Sequence, residues 1–252
     1  MQAALRIREV SQTYHNGASA LIALDGLSLD VAQGELACLL GASGCGKSTL
    51  LNLIAGVYRL RHGAIEVGGR RVALMFQEPA LFPWLNVEDN VAFGLRQHAG
   101  MSAAERRSVA RDHLRLVHLQ GFERAFVHEL SGGMKQRAAL ARALAPRPRA
   151  LLCDEPFGSL DALTRERLYA ELQELHARTR RTTLFVTHNT REAACLADRV
   201  VVLTERPATI ASVLPVELPR PRDFYDPRVS ELAGEILAKL RSDPAPSGGS
   251  HG

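Results

Sequence analysis

The sequence predicts an α/β fold: a P-loop core, an antiparallel β layer ahead of it and a helical subdomain inserted within it. Three observations carry this. Leu36-Ala37-Cys38-Leu39-Leu40 reads as a buried strand that runs into Gly41-Ala42-Ser43-Gly44-Cys45-Gly46-Lys47-Ser48-Thr49, and Leu50, Leu51 and Ile54 continue it as a helix. Upstream, residues 5–10 and 22–31 alternate apolar and polar like half-buried strands. Downstream, a helical pattern from about Gln77 to Leu130 interrupts the α/β alternation, which resumes with further apolar runs.

The glycine-rich stretch fits Gly-x-x-x-x-Gly-Lys-[Ser/Thr], the spacing of a phosphate-cradling loop. A strand, a glycine loop and a helix N-terminus together aim backbone N–H groups at phosphate oxygens. Gly41, Ser43, Gly44, Cys45, Gly46, Lys47, Ser48 and Thr49 are therefore binding candidates. Lys47 would reach the β- and γ-phosphates and the Ser48 hydroxyl would join a Mg²⁺ shell. Only Lys47, Lys135 and Lys239 are lysines among 31 basic residues. A compact ammonium at position 47 fits inside a phosphate loop where a guanidinium fork would not.

The 252 residues allow one or two domains, and 46% hydrophobic with 23% charged residues is the balance of a globular chain. No apolar run approaches the roughly 18–20 residues that span a bilayer. Met1 to Arg8 lacks the architecture of an export signal, and Cys38, Cys45, Cys153 and Cys195 show no Cys-x-x-Cys spacing. A reducing cytoplasm is expected. The charge of +4 comes from arginines dispersed among 27 acids, which reads as a solvated surface, so no nucleic-acid partner is expected.

In chain order, Tyr14 precedes the loop, where it would either stack on a base or simply pack. Gly63 to Val67 and Arg71 to Phe76 read as short strands, the second ending at Gln77. Ser102-Ala103-Ala104-Glu105 is a capping box. Ser131 is placed as an N-cap ahead of a helix that Pro146 stops. Ala150 to Cys153 is an apolar strand ending in Asp154 and Glu155, a metal-holding carboxylate and a candidate general base. Thr183 to Thr187 delivers His188 at a strand end, and Val200 to Leu203 reads as the last core strand. A terminal helix is expected near Val229 to Leu240. Residues 1–241 form the nucleotide-binding domain, with the helical subdomain at about 78–145, and 242–252 read as a disordered tail.

These motifs occur in the order of the ATP-binding cassette (ABC) ATPases, which the chain resembles from about Leu5 to Leu203. The set is the P-loop, Gln77, Leu130-Ser131-Gly132-Gly133, Asp154-Glu155, Ser159-Leu160-Asp161 and His188. The Leu-Ser-Gly-Gly run is discriminating, because P-loop kinases and GTPases lack it. Phe76 to Leu85, Asp154 to Gly158 and the Leu-Pro-Arg-Pro-Arg run at 218–222 are similar to the ATPase subunits of nitrate, sulfonate and taurine importers. Three departures stand out: a short Gly68–Val72 connection, Ala42 for a usual Pro, and Asn189 for a usual Asp.

The resemblance implies an ATPase that uses ATP and Mg²⁺. Tyr14 would stack on adenine, Gly41 to Thr49 would hold the phosphates, and Ser48, Gln77 and Asp154 would organise the metal. Ser131 and Gly133 of the signature segment would cover the γ-phosphate from the opposite protomer, Gly132 and Gln136 would belong to the same nucleotide-binding set, and Asp161 would bridge protomers. Glu155 would polarise water and His188 would sense the γ-phosphate. Implied partners are a second ATPase subunit, an integral-membrane permease and, indirectly, a solute-binding protein, at the cytoplasmic face of the inner membrane. A chromosome-type cassette would need a long coiled coil after the P-loop and a translation-associated one a second P-loop; neither occurs. The apolar run Leu81 to Leu85 holds the only tryptophan, Trp84, and either packs on the core or forms part of a permease groove.

Overall fold

A computed structural model describes residues 3–16, 19–68, 72–97 and 100–241. The expected tail at 242–252 and the middle of the Gly68–Val72 connection lie outside the described residues. Strand β1 (Ala3–Asn16) pairs antiparallel with β2 (Ser19–Ala32) and with β4 (His62–Val67), giving the N-terminal sheet β2-β1-β4. The second sheet contains β3 (Leu36–Leu40), β5 (Val72–Met75), β6 (Ala150–Asp154), β7 (Thr182–Thr187), β8 (Arg199–Leu203) and β9 (Ile210–Pro215). Its order is β5-β6-β7-β3-β8-β9, parallel except for β9.

Strand β9 corrects the expectation that Val200–Leu203 ends the core. It is an edge strand whose burial alternates, so it lacks the continuous apolar run of its neighbours, and Pro215 is tolerated at its end. The inner strands are buried on both faces, as parallel sheets require. In β3, Leu36, Cys38 and Leu40 enter one core cluster while Ala37 and Leu39 enter the other. Helix α1 (Lys47–Ile54) lies on the second face, with the N-terminal sheet.

Helices α2 (Val87–Phe93) and α3 (Ala103–Leu116) pack against each other and against α4 (Gly132–Leu144). The expected capping box closes α3: Ser102 Oγ accepts from the Glu105 N–H and the Glu105 carboxylate accepts from the Ser102 N–H. The helical pattern expected from Gln77 begins only at Val87. Pro79 and Pro83 hold the preceding loop out of a helix. Fully buried Asn90 fixes its shape, accepting the Phe82 N–H at 2.7 Å and donating to the Phe82 and Leu85 carbonyls.

Helices α5 (Ala162–Thr179), α6 (Thr190–Leu196) and α7 (Pro227–Arg241) complete the first face. Asn189 caps α6, accepting from the Arg191 and Glu192 N–H groups. The Pro-Arg-Pro-Arg run wraps the other end of α6. The buried Arg222 guanidinium donates to the carbonyls of Ala197 (2.6 Å) and Leu218 (2.7 Å), and Gln173 on α5 pairs with both backbone groups of Arg222. Among the described residues, no helix is long and apolar enough to cross a membrane.

Candidate active site

Because β5, β6, β7, β3 and β8 are parallel, their C-terminal ends open onto one edge of the sheet, where open α/β folds hold ligands. The glycine loop leaves β3, Gln77 follows β5, Asp154 and Glu155 end β6, and His188 follows β7. All but His188 meet around a cavity of about 270 Å³ lined by Ser43 to Thr49 apart from Cys45, together with Gln77, Asp154 and Glu155; His188 lies in a neighbouring cavity and joins them through Glu155. Gly41 and Cys45 form the layer beneath. A Cβ on Gly41 would stand 2.8 Å from the Cys45 sulfur.

Lys47 opens α1 and is only 4% exposed. Its Nζ donates to the carbonyls of Gly41 (2.8 Å) and Ala42 (2.7 Å) and lies 4.0 Å from Glu155 Oε1. Its ammonium thus turns two loop carbonyls toward itself. Gly46, with φ 129°, lies where a Cβ would meet the Ala23 carbonyl oxygen at 2.8 Å, so this turn admits only glycine.

Burial raises the Asp154 carboxyl above its usual range; a hydrogen bond with Ser48 pulls it down, Glu155 adds to the rise and Lys47 opposes it. A carboxylate left so poorly neutralised beside a serine hydroxyl fits a hard cation. Among the described residues no three His, Cys, Asp or Glu side chains are placed to hold a metal ion by themselves, so a Mg²⁺ here would be held by Asp154, Ser48 and Gln77 together with substrate or solvent oxygens. Glu155 takes φ 43°, a left-handed conformation that a non-glycine residue adopts at some cost and that clusters at functional sites. Its N–H donates to the Val186 carbonyl, and its Oε2 lies 2.9 Å from His188 Nδ1.

Tyr14 reaches the far side of the loop. Its hydroxyl is 3.3 Å from Thr49 Oγ1, and its ring meets Tyr58 edge-on at 6.2 Å. Gln136 does not line the cavity. It is 1% exposed and donates to the Gln77 carbonyl at 2.8 Å, tying α4 to the glutamine segment.

Ser131, Gly132, Gly133 and Asp161 are not brought to the cavity. They form a second surface. Ser131 caps α4 by accepting the Met134 N–H, and Asp161 caps α5 by accepting the Thr164 N–H at 3.0 Å. A Cβ on Gly133 would stand 2.5 Å from Thr164 Cγ2, so the two caps are packed against each other.

Glu192 escaped the sequence reading. It is buried behind His188, where burial pushes its carboxyl up and a hydrogen bond with Thr187 pulls it down. Thr187 Oγ1 also accepts the Asn189 N–H at 3.0 Å, so this pair holds the turn that carries His188. An acid followed by the apolar Ala193, Ala194 and Cys195 is the one signal the sequence offers.

Residues 24–158 match the ABC transporter family. The chain belongs to that family. This ABC ATPase is 43% identical over 249 residues to the taurine import ATP-binding protein TauB of Burkholderia pseudomallei (strain 1710b), covering 96% of this chain and 92% of that one. TauB of Escherichia coli (strain K12) is 42% identical over 229 residues, 88% of this chain and 86% of that one. The fold matches a dimeric ATP-binding cassette, MJ0796, in a post-hydrolysis state bound to ADP and Pi. That match has a TM-score of 0.75 at 28% identity and covers 85% of this chain and all of that one. The protein is an ATPase of the ABC class.

Proposed function

We propose that this ABC ATPase is the energising subunit of an importer for a small anionic solute of the sulfonate kind, working as a head-to-tail pair beneath a separate permease. The observation that carries the paired arrangement is the separation of its two surfaces: Lys47, Asp154, Glu155 and His188 converge, while Ser131 to Gly133 and Asp161 stand apart. Two copies related head to tail would bring each surface to the other's, and the MJ0796 relative is a dimeric cassette. The sulfonate reading rests on the taurine import relatives.

In this reading Tyr14 takes the adenine and Gly41 to Thr49 take the phosphates. Ser48, Gln77 and Asp154 hold Mg²⁺, which supplies charge neutralisation on the phosphate oxygens. Glu155 takes a proton from the water whose oxygen bonds to the γ-phosphorus, while the bond from phosphorus to the ADP oxygen breaks and its electron pair stays on ADP. His188, now on Glu155, turns to the γ-phosphate, and the partner's signature helix N-terminus offsets phosphate charge from the other side. Asp161 bridges the protomers. Loss of the γ-phosphate then loosens the pair.

The permease contact falls on the loop after Gln77. Trp84 is 71% exposed, and Phe82 packs between it and Phe93 with ring centroids 5.4 and 4.5 Å apart. Such an exposed aromatic on a loop locked by Asn90 suits a hot-spot anchor. Mixing Lys47→Ala protein with Ser131→Arg protein tests the paired site. Each alone should be inactive, and an equal mixture should regain about a quarter of the wild-type activity per site, because about half of the pairs are mixed and each mixed pair has one intact composite site of two. A mixture as silent as its components contradicts the head-to-tail arrangement.

A further inference from the structure

The end of β8 and the loop joining it to β9 lie along the P-loop. A Cβ added at Gly41 would stand 3.3 Å from Leu203, one at Gly46 3.5 Å from Ala208, and one at Gly44 3.0 Å from the Arg206 guanidinium. Arg206 donates through Nε (2.9 Å) and a terminal nitrogen (2.5 Å) to one acceptor, the Gly44 carbonyl. The loop itself is knit. Thr204 N–H donates to the Thr209 carbonyl, Thr209 N–H donates to Thr204 Oγ1 at 2.8 Å, and Ala208 exchanges backbone hydrogen bonds with Ala23 and Asp25 of β2. The arginine is therefore presented from a braced support.

We propose that Arg206 is a positioning residue for nucleotide binding, holding the Gly44 carbonyl away from the concave side of the P-loop. This rests on the reading of Gly41 to Thr49 as the phosphate loop. A carbonyl lone pair aimed at a phosphate oxygen repels it, so a phosphate loop must turn its carbonyls out and its N–H groups in. Lys47 does this for Gly41 and Ala42. Gly44, at φ 77°, has no side chain to restrain its peptide, and Arg206 supplies the restraint from outside. Arg206 does not line the cavity, so it acts through Gly44.

The test compares ATP and ADP affinities of Arg206→Ala, Arg206→Lys and, as reference, Lys47→Ala, with thermal melting of each. Arg206→Ala should weaken ATP and ADP together by about tenfold, the weight of one charge-assisted hydrogen bond at an exposed site. The loss should fall on KM more than on kcat, and Arg206→Lys, keeping one donor, should be intermediate. Wild-type affinity in Arg206→Ala beside lost affinity in Lys47→Ala overturns the inference alone. Undiminished affinity in Lys47→Ala overturns the phosphate-loop reading as well. A loss confined to ATP also overturns it, because that would be a direct γ-phosphate contact. If Arg206→Ala melts below the assay temperature, Arg206→Lys carries the test, and wild-type affinities there count against the inference.

Discussion

Asp154 and Asp198 sit at opposite ends of one parallel sheet, and their surroundings are inverted. Asp198 precedes β8 at the N-terminal edge. It accepts the Leu36 N–H at 2.8 Å, pairs with Arg220 and lies 3.4 Å from His176 Nε2. Burial would raise its carboxyl, but the neighbouring His176 ring, the Leu36 N–H and Arg220 outweigh burial and hold it well below the usual range. The same edge pairs Arg199 with Glu35 at 2.6 Å, and the adjoining N-terminal sheet pairs Arg8 with Asp30. Asp154, at the C-terminal edge, has Ser48 and a distant share of Lys47, and burial wins. One end of the sheet matches its charges internally and gains stability from them. The other leaves a carboxylate short of positive charge, which is a stability cost that a bound cation and its phosphates would offset.

The largest effect expected from the under-neutralised end is on turnover. Glu155→Gln should bind ATP yet hydrolyse it about 10²–10⁴-fold more slowly, the usual weight of a general base. Single-turnover assays check this, and near-normal rates would move the base elsewhere. Next comes Lys47→Ala, which should lose roughly 100-fold or more in ATP affinity, since a buried ammonium in a dry loop is worth several hydrogen bonds. Equilibrium nucleotide titration measures it.

How far these regions were legible in the sequence follows the same division. Lys47, Asp154, Glu155 and His188 could be placed because each sits at a strand end or at fixed motif spacing, and strand ends are readable from apolar runs. Ser131 and Asp161 read as caps for a local reason, a short polar side chain ahead of a helix. The internally matched end was not legible. Arg220 and Asp198, or Arg199 and Glu35, meet only through the fold, and nothing local marks which arginine of many finds which acid. Arg206 was missed for that reason too. Strand β9 was missed because an edge strand needs only one buried face. The Leu-Pro-Arg-Pro-Arg run was read as a family likeness, and its physical work, fastening α6 through Arg222, appeared only with the structure.

A smaller effect sharpens the contrast through pH. A carboxyl with a folded pKa below its unfolded value of about 3.9 adds stability that is fully present above that value and is lost as pH falls toward the folded pKa. The gap in stability between wild type and Asp198→Asn should therefore be largest near neutral pH and should shrink below about pH 4. Asp154 has the opposite sign: its raised carboxyl makes stability fall as pH rises from about 3.9 through its folded pKa. Urea unfolding of wild type, Asp154→Asn and Asp198→Asn from pH 7 to pH 3 checks both slopes. A gap for Asp198→Asn that stays constant across that range counts against the matched-charge account.

The most direct test of the contrast is thermal melting of Asp154→Asn and Asp198→Asn, each with and without ATP and Mg²⁺. Asp154→Asn should melt about 1–3 °C above wild type without ligand, having shed an unneutralised carboxylate, and should lose most of the ligand-induced rise in Tm. Asp198→Asn should melt below wild type and keep that rise in full. An Asp154→Asn protein that melts lower than wild type, or that still gains the full stabilisation from ATP and Mg²⁺, contradicts the assignment of the C-terminal edge as the cation-holding end.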